Sequence, residues 1–456
     1  MGVYLKKKIF NLSSTHIILL SFIITILLGA FLLWLPISSK SGVSVDFIDA
    51  LFTSTTSTCV TGLVTLPTFS TWSSFGQGVI FVLIQIGGLG VVTVLAGLTI
   101  FLHRKIGLGE RLLIQDAFNL NTLSGLVKFV RKVIIGTFLI EGIGALLYMT
   151  VFIPDFGVQG IWIAIFNSVS AFCNAGIDIF AVDSLASYKF NPIINIVTML
   201  LIVLGGLGYI VWWDILRVIK ERRESKIRLF KSLTLHSKIV LTSTFIFLFV
   251  GVLAFFIFEY NNPLTMKEYN LGERIITSLF QSVTTRTAGF FTIPQENLTG
   301  ASAIFSLMLM FIGGSPVGTA GGIKTVTFAV LFASALSAVR GKNEVGLFKR
   351  AISKEAISKA LAVTFMSFSV FFVSTVLLST VCDASTLDIL YETASATATV
   401  GLSRYLTSRL DLAGKIIIII TMYLGRVGPI SLAFAFRINR ESKNKIRSPK
   451  EEISVG

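Results

Sequence analysis

Charge is scarce in this sequence. Only 14% of its 456 residues are Asp, Glu, Lys or Arg, while 53% are hydrophobic. That balance excludes a disordered chain and is unusual for a soluble domain of this length. Cysteine is scarce as well, and Cys59, Cys173 and Cys382 make no disulfide framework. No H-E-x-x-H, Walker A or C-x-x-C motif is present, and no catalytic constellation stands out, so the chain does not read as an enzyme. Gly88-Leu89-Gly90 is a faint match to a dinucleotide fingerprint, but it lies in an apolar run without a βαβ context and is set aside.

What fills the sequence instead is apolar runs from end to end. The first, 16–36, is long enough to cross a bilayer. It follows Lys6, Lys7 and Lys8, but it is too long for a signal peptide and no small-x-small cleavage site follows it. The chain therefore reads as an all-α polytopic membrane protein. The net charge of +15 does not indicate nucleic acid, because the basic residues cluster in alternate loops, at 104–132, 217–231 and 340–354, and at both ends. The intervening loops hold acids such as Asp46, Asp155, Asp178 and Glu296. This is the positive-inside pattern. It places both termini and the three basic loops in the cytoplasm of a cell-membrane protein with an even number of crossings.

An internal repeat organises the chain. Four stretches are alike: "ALFTSTTSTCVTGL" (50–63), "AIFNSVSAFCNAGI" (164–177), "SLFQSVTTRTAGF" (278–290) and "ILYETASATATVGL" (389–402). Each contains an aromatic residue, continues in Ser, Thr and Ala, and leads to one glycine: Gly62, Gly176, Gly289 and Gly401, spaced by 114, 113 and 112 residues. An apolar helix precedes each (16–36, 133–153, 238–258, 360–381) and another follows (77–102, 192–216, 301–339, 413–436). The expected architecture is a single membrane domain, 1–456, of four helix–pore loop–helix repeats at 14–105, 127–220, 235–340 and 355–438, with a cytoplasmic tail at 439–456. Eight transmembrane helices would surround a pseudo-fourfold pore. The short polar stretches would be re-entrant, because irregular backbone at membrane depth is tolerated only beside protein or a watery cavity.

A dehydrated cation needs oxygen ligands, and rings of backbone carbonyls supply them. Glycine permits the positive φ that turns successive carbonyls inward. The expected ligands are Val60, Thr61 and Gly62; Asn174, Ala175 and Gly176; Thr287, Ala288 and Gly289; and Thr399, Val400 and Gly401. Their side chains differ across copies, as expected where the backbone coordinates. The short helices would point their negative C-terminal ends at the ion. Arg286, beside one glycine, either supports its loop from behind or faces the pore. Cys59 and Cys173 read as small packing residues.

As one helix, 301–339 would run roughly 58 Å, so it cannot be a single straight span. "GGSPVGTAGGIKT" (313–325) divides it into half-helices 301–312 and 326–339, with Gly313, Gly314, Gly318, Gly321 and Gly322 freeing the backbone and Pro316 removing a donor. This reads as an intramembrane loop, with Lys324 on the side of the cytoplasmic cavity or of a regulator. The inner-helix motifs align as "IGGLG" (86–90), "LGGLG" (204–208), "IGGSP" (312–316) and "LGRVG" (424–428), so Arg426 replaces a glycine. A charge at that depth is a functional hypothesis by default. Its donors either latch the loop across the pore or pair structurally in the bundle. Glu141, also in an apolar helix, pairs with Arg426 or another polar group, or carries no charge.

With its four glycines, the "IGGLG"-type motif and the glycine-rich break, essentially the whole chain resembles the Ktr/Trk/HKT superfamily of potassium transporters. It is most similar to the KtrB-type membrane subunits. The resemblance implies a filter with one glycine per repeat, a gate at the broken helix, potassium as substrate with sodium a candidate activator, and no covalent cofactor. It also implies a homodimer controlled by a cytoplasmic RCK-type nucleotide-binding subunit, a separate protein because this chain holds no nucleotide motif. In related plant proteins a serine at the first filter glycine accompanies sodium transport, so Gly62 favours potassium. The alternatives are a sodium-selective or non-selective transporter of the same architecture and a secondary active transporter.

Overall fold

The structure is a computed structural model that describes residues 14–102, 107–118, 125–180, 183–224, 229–342 and 344–428. The basic N-terminus, Arg104, Lys105, Lys226, Arg228 and the tail at 439–456 lie outside the described residues.

The same succession of helices occurs four times. A long helix comes first: α1 (Ser14–Trp34), α6 (Leu126–Phe156), α10 (Leu235–Glu259) and α14 (Lys354–Val381). Each has the length and apolarity to cross a membrane. A short helix follows: α2 (Phe47–Cys59), α7 (Gln159–Phe172), α11 (Leu271–Thr284) and α15 (Thr386–Ala398). A third helix or pair completes each unit: α3 (Ser74–Leu89) with α4 (Val91–Phe101), α8 (Pro192–Leu207) with α9 (Tyr209–Glu224), α12 (Gly300–Phe311) with α13 (Thr325–Val339), and α16 (Leu412–Val427). The remaining α5 (Leu108–Ala117) and the hairpin β1 (Gly346–Leu347) with β2 (Arg350–Ala351) sit in links between units.

Polarity is inverted relative to a water-soluble fold. Phe138, Phe245 and Phe365 on the long helices are 56%, 69% and 70% exposed. Ser54, Thr55, Ser57 and Thr58 on α2 are fully buried. Apolar faces turned outward around a polar interior are what a lipid solvent selects, since every interior polar group must then be bonded by protein. The units also close on one another. Trp162 Nε1 donates to Gln77 Oε1 (3.0 Å), Leu185 N to Phe291 O (3.1 Å), Tyr391 OH to Gln295 Oε1 (2.8 Å), and Lys415 pairs with Asp49 at 2.6 Å. The last contact joins the final helix, α16, to the first short helix.

The single helices expected at 77–102 and 192–216 are each a bent pair in the structure. α3–α4 bends by 98° at Gly90 and α8–α9 by 94° at Gly208. Gly90, Gly208 and Gly428 share one conformation, with φ of 84°, 86° and 88°, which side-chain-bearing residues avoid. The closing glycine of the first two motifs is thus a hinge. The third motif has Pro316 there, and its break widens into a loop between Phe311 and Thr325. The fourth inner helix is described only to Gly428, short of the expected 436. Among the described residues, four single helices, or six spans if each bent pair counts once, meet the length and apolarity of a crossing.

The 313–324 loop is zipped at its base by Ile323 N to Phe311 O (3.0 Å) and Thr325 N to Gly314 O (2.9 Å). It docks on the α8–α9 hinge through Ser315 N to Gly206 O (2.8 Å), Thr319 N to Gly205 O (3.1 Å) and Tyr209 N to Val317 O (2.9 Å). A Cβ at Gly208 would clash with the Pro316 carbonyl, whereas one at Gly42 (φ 71°) meets nothing. Gly42→Ala should cost about 1 kcal/mol from backbone strain alone, and Gly208→Ala about 3 kcal/mol or more. The difference should appear as a clearly larger drop in the thermal unfolding midpoint of the detergent-solubilised protein.

Candidate functional site

Each short helix ends in a residue pattern that no helix or strand adopts. Val60, Asn174, Thr287 and Thr399 have φ of 54°, 60°, 67° and 50°, and two residues later Gly62, Gly176, Gly289 and Gly401 have φ of 99°, 64°, 83° and 97°. Left-handed geometry costs a side-chain-bearing residue on the order of 1–2 kcal/mol, so neighbours must hold it. One hydroxyl residue per loop does so. The carbonyls of Thr56, Ser170, Thr284 and Ser395 accept from Thr61, Ala175, Ala288 and Val400 N at 2.8, 2.7, 3.0 and 2.8 Å. Their hydroxyls clamp the next turn. Gly62 N donates to Thr56 Oγ1 (2.9 Å), Ile177 N to Ser170 Oγ (3.0 Å) and Gly401 N to Ser395 Oγ (3.0 Å), while the Thr284 hydroxyl donates to Phe290 O. Sequence reading noted these Ser and Thr residues but not their function; their place six residues before Gly62, Gly176 and Gly401, and five before Gly289 in the shorter third copy, was the available signal.

The four loops meet. A Cβ on Gly62 would lie 2.5 Å from Ala175 O and 3.1 Å from Gly401 Cα; one on Gly176 would lie 2.6 Å from Ala288 O and 2.5 Å from Gly289 Cα. On Gly289 it would lie 2.9 Å from Val400 O, and on Gly401 it would run into Thr61 O. The glycines form a closed ring in chain order. Each faces the carbonyl of the residue preceding a neighbour's glycine, so the carbonyls of Thr61, Ala175, Ala288 and Val400 lie within the ring where the four loops meet. Ala175, Ala288 and Val400 have their side chains in the hydrophobic core. A ring of carbonyls at the negative ends of four helices is chemistry suited to a desolvated cation and unsuited to an anion.

The inner-helix motifs brace the ring from one side. Gly87, Gly205 and Gly425 leave no room for a Cβ against the Thr58, Phe172 and Thr397 carbonyls that end three of the short helices. At the next position Gly88 abuts the Cys173 thiol, and Gly206 and Gly314 abut Ala320. Arg426 donates from Nη1 to Thr319 O at 2.7 Å and from Nη2 to Gly87 O. It therefore ties the 313–324 loop to the first unit. Gly318 lies against Gly205 O and Gly208, and Gly322 takes φ of 65°. Lys324 is half-buried; its Nζ donates to Ala320 O at 2.5 Å, and it lines a cavity of about 240 Å³ with Arg426 and Asp116.

Arg286 is held by the third inner helix's break and by α10. Its Nη2 donates to Gly313 O (2.9 Å) and its guanidinium lies 5.8 Å from the Phe247 ring centre on α10. Glu141 has other partners than Arg426: its carboxylate accepts from Gln85 Nε2 at 3.3 Å and from the Cys173 thiol at 3.7 Å. Among the described residues no group of three or more His, Cys, Asp or Glu could hold a metal ion.

Residues 8–448 match the family described as "TrkH: Cation transport protein". The chain belongs to this family. The TrkH family transports cations and is not a class of enzymes. Among relatives, the chain is 40% identical to "Ktr system potassium uptake protein B" of Bacillus subtilis, over 97% of this chain and 96% of that protein. It is also 40% identical to "Potassium/sodium uptake protein NtpJ" of Enterococcus hirae, over the full length of both. The TrkH potassium transporter of Vibrio parahaemolyticus superposes with a TM-score of 0.73 at 14% identity, covering 93% of this chain and 84% of that one. That likeness shows a TrkH-like fold.

Ser395→Ala would strand the Gly401 N–H in a partly buried site, at a cost of about 1 kcal/mol or more. Ser379→Ala, on the exposed face of α14, should stay within about 0.5 kcal/mol of native. Thermal unfolding of the two variants in parallel measures the contrast.

Proposed function

We propose that this protein takes up potassium across the cell membrane through the four-glycine ring. The observation that carries the reading is the closed cycle in which each glycine faces a neighbour's inward carbonyl and admits no side chain. The ring is the filter, with Val60, Asn174, Thr287 and Thr399 at its inner end. Each bent or broken inner helix counts as one crossing, so eight crossings form the four repeats and leave both termini in the cytoplasm. The 313–324 loop is the gate. Arg426 latches it, and its departure frees the path. Relatives named as potassium uptake proteins, one of them within a Ktr system, support the ion and a system with more than one component. In this reading two copies of the chain assemble, and an RCK-type nucleotide-binding subunit acts from the cytoplasm on the loop.

A second reading is favoured by one finding: an equally similar relative is named for potassium and sodium. A non-selective filter of the same build would pass both ions. A secondary active transporter is less well supported, because the ring offers carbonyls and no carboxylate.

Potassium uptake in cells lacking their own potassium transporters, at limiting external potassium and with a suitable RCK partner, separates the readings. The intact protein should restore growth, and sodium should compete weakly. Gly62→Ser should lose that discrimination. Equal competition by sodium against the intact protein would favour the second reading. Arg426→Gln should raise flux several-fold at equal expression; unchanged flux would remove the latch from the account.

A further inference from the structure

The residue two before each filter glycine shares a left-handed backbone but not a side chain: it is Val60, Asn174, Thr287 and Thr399, one apolar, one amide and two hydroxyl residues. Where the backbone alone coordinates, that variety has no meaning. The structure gives it one. The Thr319 hydroxyl stands 3.0 Å from both Phe172 O and Asn174 Oδ1. Gly321 N donates to Thr287 Oγ1 at 3.0 Å. Gly321 also lies so close to the Thr399 hydroxyl and Ala398 O that a Cβ there would clash with both. Only Val60 is apolar, and it packs beside Gly87 of its own unit, away from these loop contacts. The polar side chains are thus found where the 313–324 loop touches the ring.

We infer that the loop is a structural part of the filter, and that Thr319, through Asn174, and Thr287, through Gly321, help determine the preference for potassium over sodium. This rests on the filter reading above. The physical reason is restraint. Asn174 and Thr287 directly precede Ala175 and Ala288, whose carbonyls turn into the ring. A buried hydrogen bond at each left-handed residue fixes the direction of the carbonyl that follows. Discrimination between ions of different radius needs that direction held, because a ring free to contract accepts the smaller ion as readily. Asn174, Thr287 and Thr399 meet the 313–324 loop while Val60 packs beside Gly87, so the restraint is asymmetric. A loop that leaves its place breaks both bonds, which couples gate position to filter geometry.

The loop-side variant Thr319→Val alters no filter residue and removes the hydroxyl. Thr287→Val removes the acceptor on the filter side, and Thr319→Ser keeps the hydroxyl. In the full-length purified protein, the midpoint concentrations at which K+ and Na+ raise the thermal unfolding temperature report relative ion affinity without requiring the gate to move. The K+-to-Na+ preference should fall about fivefold in each valine variant and stay near native in Thr319→Ser. Native-like ratios in both valine variants, with monodisperse protein, overturn the inference. A native protein that neither ion stabilises would instead overturn the filter reading on which it rests. For a valine variant that does not purify, the ratio of K+ to Na+ competition against Rb+ uptake in cells supplies the same comparison.

Discussion

Backbone that leaves helix geometry in the interior of an apolar bundle must find protein partners for its N–H groups, since lipid offers none. The rest of this structure depends on how that is done at four places. Each short helix runs inward and ends in a left-handed residue, a carbonyl-bearing residue and a glycine. One buried Ser or Thr in the preceding turn accepts a loop N–H through its carbonyl at all four places and a second through its hydroxyl at three of them. Once the donors are satisfied from behind, the carbonyls are left to face the ring. Short helices made of serine, threonine and alanine are therefore wrapped by long ones made of leucine, isoleucine and phenylalanine.

The third inner helix departs from its counterparts for a local reason. Gly90 and Gly208 turn the chain in a single residue, with φ near 85° in each. Pro316 cannot take that conformation, because its ring fixes φ near −65°. The chain spreads the same change of direction over a loop that zips at its base and seats its middle on the α8–α9 hinge. That seating puts Thr319 and Gly321 beside the ring and Thr319 O within reach of Arg426. A single substitution of proline for a hinge glycine thus accompanies the loop that contacts the ring, the neighbouring hinge and the arginine together.

Much of this was legible in the sequence, and what was not has physical causes. The four glycines stand out because their spacing is nearly constant and their flanks are alike, and the break at 313–325 because seven of its residues are Gly, Pro or Lys amid apolar chain. The bends at Gly90 and Gly208 were hidden, because one glycine in an apolar helix costs only about 1 kcal/mol and tertiary packing decides whether it bends. Left-handed Val60 and Thr399 were hidden more deeply, since β-branched residues rarely adopt such φ. The partners of Glu141, namely Gln85 from α3 and Cys173 from the second loop, come from chain segments that no periodicity links. The difference among Val60, Asn174, Thr287 and Thr399 was visible but gained meaning only when the loop's position was known.

The central claim is that the inward carbonyls of Thr61, Ala175, Ala288 and Val400 hold the ion. The most direct test is a crystal structure of the protein with potassium replaced by rubidium, using the anomalous signal to locate the ion. The account predicts a peak on the axis of the glycine ring, within coordination distance of all four carbonyl oxygens. A ring without anomalous density, with rubidium held elsewhere among acidic side chains, would contradict it.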